Sequence, residues 1–242
     1  MNRKVWISGD SWADFTSLLK SKMIYEDSLN GRFEASGDLV RTFAKGGSGN
    51  EAQFDFMFKY CQLVNRQHKE KLPEIWVHFW TEVGRDIQAF EPEIRRVKDN
   101  GKGDRPVLEN IIENELCNMI HDLLPYFNGT KIIFIGGQSP VPQKIQEEFK
   151  DYIEFLPDWK SDLLNGPLPY NQYMSMLHLD IENERYELCK RYLPEKWFNY
   201  YSKISKDEKK ILKESEKFPD DGHPGKEAFM SLWKQFKAKG MF

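Results

Sequence analysis

The chain has 242 residues, of which 40% are hydrophobic and 30% charged, and its formal net charge is -3. These values suit one or two globular domains, and the slightly negative charge excludes a general electrostatic attraction to nucleic acid or anionic membranes. No apolar run approaches a membrane span, and the N-terminus lacks a signal-peptide pattern, so the expected location is the cytoplasm. The three cysteines are far apart, which argues against a disulfide framework.

The first half of the chain alternates short apolar runs with amphipathic segments. Lys4–Ser8 is predicted as a buried strand, and Trp12–Met23 has the apolar spacing of a helix. The polar, glycine-containing segment Tyr25–Gly37 is predicted as a loop. A second strand, Asp38–Ala44, ends in a glycine-rich turn, after which Glu51–Asn65 carries one apolar face and is predicted as a helix.

The second half continues the alternation. Glu74–Trp80 and Lys131–Ile135 are largely apolar and are predicted as strands. Between them, the charged segment 87–106 is predicted as an inserted excursion and Val107–Phe127 as a long amphipathic helix. Ile153–Leu156 is a weaker fifth strand.

Beyond the fifth strand, an aromatic stretch at 157–201 is predicted to line or cover a cleft, and a helix from Lys226 to about Lys239 closes the chain. Strands that alternate with helices indicate an α/β fold with a mainly parallel sheet of about five strands, flanked by helices. We therefore predict a single domain, 1–242. Ligands bind such sheets beyond the carboxyl ends of the strands, so the loops that follow the strands should share one edge.

The first strand stops at Gly9-Asp10-Ser11, and Ser11 on this turn is a candidate nucleophile. A serine hydroxyl needs a base to take its proton and a carboxylate to orient that base. Near the other end of the chain, Asp220 and His223 stand three residues apart, a spacing that can set a carboxylate against one imidazole nitrogen. Each motif alone also fits a polar turn beside a helix, with Asp10 or Ser11 as the helix cap.

Together with the Gly-Gly-Ser-Gly-Asn turn at 46–50, these motifs resemble the SGNH hydrolase superfamily, also called GDSL esterases and lipases. The resemblance implies a three-layer, flavodoxin-like fold. It also implies a serine esterase whose catalytic triad consists of Ser11, Asp220 and His223. It also implies an oxyanion hole formed by the backbone N–H groups of Ser11 and Gly47, with Gly46 as the alternative. Glycine suits this position because it allows a close backbone approach.

The segment after the third strand departs from the family pattern. The family places Gly-x-Asn-Asp there, and the Asn side chain donates a hydrogen bond to the oxyanion. Aligned on Asp86, Arg85 takes the Asn position, whereas counting from the end of the strand gives Thr81 or Glu82. A glutamate would oppose an oxyanion, so Arg85 and Thr81 are the candidate donors. An ion pair of Arg85 with either neighbouring acid is the alternative.

The remaining polar residues carry weaker signals. Asn50 and Gln138 lie on the predicted ligand-binding edge and are predicted to contact substrate, although either also suits a turn or a helix cap. His78 lies inside an apolar strand and is interpreted as a hydrogen-bonded core histidine. No cofactor is expected, and no metal site is predicted because the other histidines lack ligand spacing: His68, His121 and His178.

These observations predict a serine esterase whose substrate is a small-molecule or carbohydrate ester. Family analogy suggests an O-acetyl group on a carbohydrate as the acyl group. The main alternative is a catalytically inactive module of the same fold that binds a glycan or a protein partner. A flavodoxin-like domain that binds phosphate at the Gly-Asp-Ser turn is a further alternative, but it leaves Asp220 and His223 without a role. The oligomeric state does not follow from the sequence.

Overall fold

A computed structural model of the chain describes residues 2–10, 13, 24–67, 72–81, 86, 105–136, 141–156 and 226–240. At its centre is a sheet of five parallel strands in the spatial order β2-β1-β3-β4-β5. The strands are β1 (Lys4–Ser8), β2 (Leu39–Thr42), β3 (Ile75–Trp80), β4 (Lys131–Gly136) and β5 (Ile153–Leu156). This is the flavodoxin-like order, in which the chain direction across the sheet reverses between β1 and β3.

All five predicted strands are therefore confirmed, as is the α/β fold class. The apolar runs are the reason, because strands covered on both faces must be almost continuously hydrophobic. All six residues of β3 are buried, and so are the last five of β4. The edge strand β2 is instead mostly exposed.

Within the described residues, five helices accompany the sheet: α1 (Leu29–Ala35), α2 (Asn50–Gln67), α3 (Arg105–Leu123), α4 (Gln143–Phe149) and α5 (Lys226–Ala238). The predicted helices at α2, α3 and α5 are confirmed, and α3 continues into a 3-10 turn at Leu124–Phe127. The predicted helix Trp12–Met23 and the aromatic stretch 157–201 lie outside the described residues, except for Ala13. The same holds for the excursion 87–106, apart from its last two residues, which begin α3.

The loop predicted over Tyr25–Gly37 is wrong, because this segment forms a 3-10 turn and then α1. The Ser28 side chain caps α1 by accepting a hydrogen bond from the Gly31 N–H at 3.1 Å. Gly31 suggests a loop in the sequence, yet it is there for packing, since a Cβ at this position would lie 2.2 Å from the carbonyl oxygen of Tyr25. Phe33 then anchors α1, with its ring 5.1 Å from that of Trp233 in α5.

The helices form one layer on each face of the sheet. Alternate strand side chains on one face, including Trp6, Trp76 and Phe134, pack with α2, α3 and α4 in one core cluster. On the other face, α1 and α5 cover the strands, and the ring of Phe229 lies 6.3 Å from that of Phe79. Among the helices described, none has the length and hydropathy to cross a membrane.

Candidate functional site

The turn after β1 lies directly against β3. Gly9 has a φ of 140°, which L side chains rarely adopt, and a Cβ there would stand 2.8 Å from both the Cβ and the carbonyl oxygen of Phe79. Only glycine fits between the turn and the neighbouring strand. The backbone two residues before Ser11 is therefore held at the reversal point of the sheet, where ligands bind in such folds.

The turn that follows β2 is hydrogen-bonded to the same glycine. The carbonyl oxygen of Gly9 accepts from the Lys45 N–H at 3.1 Å. Ser48 Oγ donates to the Lys45 carbonyl at 2.7 Å and lies 3.5 Å from the Gly9 carbonyl oxygen. Gln53 completes the ring, donating to Ser48 Oγ at 2.7 Å and accepting from the Gly9 N–H at 3.5 Å. Gly47 lies between Lys45 and Ser48, has a φ of 79°, and its N–H meets no hydrogen-bond acceptor among the described residues.

The end of β3 is joined to the first turn through Thr81. Its hydroxyl donates to Asp10 Oδ2 at 3.1 Å, and both residues are buried. A threonine hydroxyl has one proton, so Thr81 would have to leave Asp10 before it could donate to an oxyanion. Arg85, the other candidate donor, lies outside the described residues, as do Ser11 and Gln138.

Asn50, the first residue of α2, connects the turn that follows β2 to the segment that follows β3. Its Oδ1 accepts from the Thr81 N–H at 3.0 Å, and its Nδ2 donates to the Thr81 carbonyl at 3.2 Å and to Asp86 Oδ2 at 2.8 Å. Thr81 offers both a donor and an acceptor, so the orientation of the amide is fixed. The side chain is fully buried and both of its ends are engaged. These contacts connect the start of α2 to the segment after β3, and the substrate contact expected of Asn50 from the sequence stays a prediction.

His78 continues this buried network below the edge. Its Nε2 lies 3.3 Å from Asn50 Oδ1, which only accepts, so Nε2 carries the proton. Nδ1 then accepts from the Ser8 hydroxyl at 2.9 Å, and Ser8 Oγ accepts from Trp76 Nε1 at 2.8 Å. Burial lowers the pKa of His78 to about 3, so the ring is neutral. This is the hydrogen-bonded core histidine that the sequence indicates.

Asp86 caps α2 from across the sheet edge. Its Oδ1 accepts from the Glu51 N–H at 2.9 Å, while Oδ2 accepts from Asn50. Burial raises the pKa of this carboxyl to about 6, against the opposing effect of these hydrogen bonds. In the sequence analysis, Asp86 serves only to align this segment with the Gly-x-Asn-Asp pattern and as a possible ion-pair partner of Arg85. Its capping role carries no local signal, because the helix that it caps begins 36 residues earlier.

The two buried titrating groups should affect stability in opposite directions as the pH falls. The unfolded chain protonates His78 below its ordinary pKa of 6.5, whereas the folded protein does not, so His78 costs stability between pH 6.5 and 3. The folded protein protonates Asp86 near pH 6, before the unfolded chain does, so Asp86 adds stability between pH 6 and 4. If Asp86 is replaced by a residue that does not titrate, only the loss of stability that His78 causes as the pH falls should remain.

We expect the unfolding free energy of Asp86→Asn to fall more steeply than that of wild type between pH 6 and 4. The difference should reach up to about 3 kcal/mol, from 1.36 kcal/mol for each pKa unit. Urea unfolding at a series of pH values measures it. Asp55→Asn, which removes an exposed carboxylate from the same helix, is the control. Parallel pH curves for wild type and Asp86→Asn would contradict this assignment.

The closing helix reaches the same region from the other face of the sheet. Phe229 contacts Phe79, the residue against which Gly9 packs. Asp220 and His223 precede this helix and lie outside the described residues. The structure thus brings together the segments after β1, β2 and β3, and it leads the last helix toward them. Within the described ranges, no group of three His, Cys, Asp or Glu side chains could hold a metal ion.

No family model matches the sequence, and no curated protein matches it. Two solved structures show a distant likeness to the chain. A mutant of the esterase AlinE4 is 15% identical, with 69% of this chain and 82% of that chain covered, at a TM-score of 0.37. TesA is 12% identical, with 98% of this chain and 99% of that chain covered, at a TM-score of 0.38. Likeness at this level assigns no activity to the chain.

Proposed function

We propose that the chain is a serine hydrolase of the SGNH type that cleaves a small acyl ester. The observation that carries the proposal is the direct joining, at one sheet edge, of the three segments that follow β1, β2 and β3. Gly9 holds the turn after β2, Asp10 holds Thr81 after β3, and Asn50 links Thr81 to the start of α2. These hydrogen bonds hold the two residues that precede Ser11 against the segments that follow β2 and β3.

In the proposed reaction, Ser11 Oγ attacks the carbonyl carbon of the ester. His223 takes the serine proton, and Asp220 orients the imidazole and stabilises its charged form. Collapse of the tetrahedral intermediate breaks the bond to the alcohol, which leaves with the proton from His223. A water molecule then attacks the acyl-enzyme, gives its proton to His223 and releases the acid as Ser11 recovers its own proton.

The oxyanion is proposed to accept hydrogen bonds from the N–H groups of Ser11 and Gly47 and from one further donor. The positive φ of Gly47 and its N–H, which is not engaged by any described residue, support this role. We favour Arg85 over Thr81 as the further donor, because the Thr81 hydroxyl is directed to Asp10. Preorganised donors of this kind typically account for about 2.7–4 kcal/mol each.

A direct test combines an activated ester with an active-site label. Wild-type protein should hydrolyse p-nitrophenyl acetate and react with a fluorophosphonate probe, and peptide mapping should place the label on Ser11. Ser48→Ala removes a nearby hydroxyl from the same edge and should keep the label. A wild-type protein inert to both reagents would favour the alternative, a module of this fold that binds a glycan or a protein partner.

Thr81→Val should separate the two roles considered for Thr81. The valine leaves the buried Asp10 without its Thr81 donor, so we expect a stability loss of about 1–3 kcal/mol. If Thr81 were instead the oxyanion donor, kcat would fall by about 10²–10³-fold with stability largely kept. Thr81→Ser retains the hydroxyl and is the matched control. Urea unfolding and p-nitrophenyl acetate hydrolysis, measured on the same preparations, distinguish the outcomes.

A further inference from the structure

One buried side chain connects the turn after β1 to the turn that carries Gly47. Gln53 lies in the first turn of α2 and is only 4% exposed, which is unusual for a glutamine. Its Oε1 accepts from the Gly9 N–H at 3.5 Å, and its Nε2 donates to Ser48 Oγ at 2.7 Å. The Gly9 N–H can only donate, so the orientation of the carboxamide is fixed. Gln53 therefore contacts a residue two positions before Ser11 and the residue directly after Gly47.

The form of the turn from Lys45 to Ser48 sets the direction of the Gly47 N–H. The Ser48 N–H donates to the Lys45 carbonyl at 3.2 Å, which closes a four-residue β-turn. Gly47 has a positive φ of 79° whereas Gly46 does not, and this is the pattern of a type II turn. In such a turn the N–H of the third residue belongs to the central peptide unit and takes no part in the closing hydrogen bond. The direction of the Gly47 N–H therefore depends on the turn keeping this form.

Ser48 links Gln53 to this turn. The Ser48 hydroxyl has one proton, which it donates to the Lys45 carbonyl at 2.7 Å, so its oxygen is left to accept from Gln53 Nε2. The Lys45 N–H in turn donates to the Gly9 carbonyl at 3.1 Å. Both backbone groups of Gly9 are thus held, the carbonyl by Lys45 and the N–H by Gln53. Without the carboxamide, the two turns would keep the first of these contacts and lose the second.

We infer that Gln53 is a positioning residue of the proposed reaction centre, which holds the Gly47 N–H in place relative to Ser11. The inference rests on the proposed function, in which the N–H groups of Gly47 and Ser11 donate to the oxyanion. Such donors are effective when they are preorganised toward the place where charge develops in the transition state. A misplacement of about 1 Å can lower a rate by about 10²-fold even when the substituted residue does not touch the substrate. Gln53 thus acts on the rate through the turn and not by contact with the ester.

Gln53→Met keeps the approximate volume of the side chain and removes both hydrogen bonds. We expect kcat for p-nitrophenyl acetate to fall by about 10–100-fold with KM nearly unchanged, because an oxyanion donor acts in the transition state and not on the bound ester. The fluorophosphonate label should still map to Ser11 but should form more slowly. Gln146→Met is the matched control, since Gln146 on α4 donates a hydrogen bond of the same length, 2.7 Å, to the Val141 carbonyl, and it should leave kcat unchanged.

Gln53→Glu adds a pH-dependent readout that a merely structural loss would not give. An ionised glutamate can accept from the Gly9 N–H but cannot donate to Ser48 Oγ, whereas the protonated acid can do both. Burial raises the pKa of such a carboxyl. The kcat of Gln53→Glu, divided by that of wild type at the same pH, should therefore be low at about pH 8 and rise several-fold toward about pH 5. The division removes the loss of rate that both proteins share when His223 is protonated.

Amide NMR spectra test the position of the turn independently of activity. The signals of the Gly9 and Gly47 N–H groups should shift in Gln53→Met and stay in place in Gln146→Met. Urea unfolding checks that each variant is folded under the assay conditions, and if Gln53→Met is not, the pH dependence of Gln53→Glu decides.

The possible failures of the inference and of the proposed function are distinct. With an active wild type, an unchanged kcat in Gln53→Met or a kcat ratio for Gln53→Glu that does not vary with pH would overturn the inference. So would a rise in KM with kcat kept, which would make Gln53 a substrate contact. A wild-type protein inert to both reagents, in which Gln53→Met still shifts the Gly47 signal, would refute the proposed function and uphold the connection between the two turns.

Discussion

Ser11→Ala and His223→Ala are each expected to lower kcat by about 10⁴–10⁶-fold, and the double variant should lose little more than either alone. The reason is that nucleophile and base act as one unit. Without the base the hydroxyl is a poor nucleophile, and without the hydroxyl the base has no proton to remove. Initial rates of p-nitrophenyl acetate hydrolysis, with the fluorophosphonate reaction as a second readout, measure the three variants against wild type.

His121→Ala provides the matched control for loss of a histidine. His121 lies on α3, where its Nε2 is 2.7 Å from Glu148 Oε1 on the surface, and its removal should leave the rates unchanged. Losses in Ser11→Ala and His223→Ala that multiply in the double variant would show two independent contributions. That result would contradict the pairing, and turnover that survives in Ser11→Ala would refute the nucleophile.

Gly9→Ala is expected to destabilise the fold by about 2–6 kcal/mol, from backbone strain of about 1–3 kcal/mol and a comparable overpacking cost. The new methyl group would stand 2.8 Å from the Phe79 backbone oxygen, which cannot move without disturbing β3. Because Gly9 also holds Lys45 and precedes Asp10, we expect esterase activity to fall with stability. Urea unfolding and p-nitrophenyl acetate hydrolysis test both effects.

Gly129→Ala separates the cost of backbone strain from the cost of overpacking. Gly129 also has a positive φ, 82°, but a Cβ there meets nothing within 4 Å. Its replacement should therefore cost only the backbone preference, about 1–2 kcal/mol. If Gly9→Ala cost no more than Gly129→Ala, the close approach to Phe79 would not limit the site.

The strands could be predicted from the sequence because burial on both faces leaves a direct mark on composition. The two short helices could not. In α1, Gly31 has the sequence signature of a loop, although it is required by contact with the carbonyl of Tyr25. α4 has seven residues and follows Pro142, so it offers too few positions for a helical period to appear.

The candidate site divides in a similar way. The turns at Gly9-Asp10 and Gly46-Gly47 could be predicted because each is contiguous in the sequence and follows an apolar run. The network below them could not, since it joins Ser8 to His78 across 70 residues and Asn50 to Asp86 across 36. Each of these residues is locally unremarkable, and only the parallel register of β1 and β3 sets Ser8 beside His78.

The first two turns of α2 carry one buried and one exposed residue at which substitutions should affect stability differently. Asn50 is fully buried and fixes the end of β3, whereas Phe56, less than two turns later on the same helix, is half exposed. Substitutions at exposed positions usually change stability by no more than about 0.5 kcal/mol, but a buried hydrogen-bonded residue tolerates little. The sequence at Phe56 can therefore change with little effect on the fold, whereas a change at Asn50 would break the connection between the start of α2 and the end of β3.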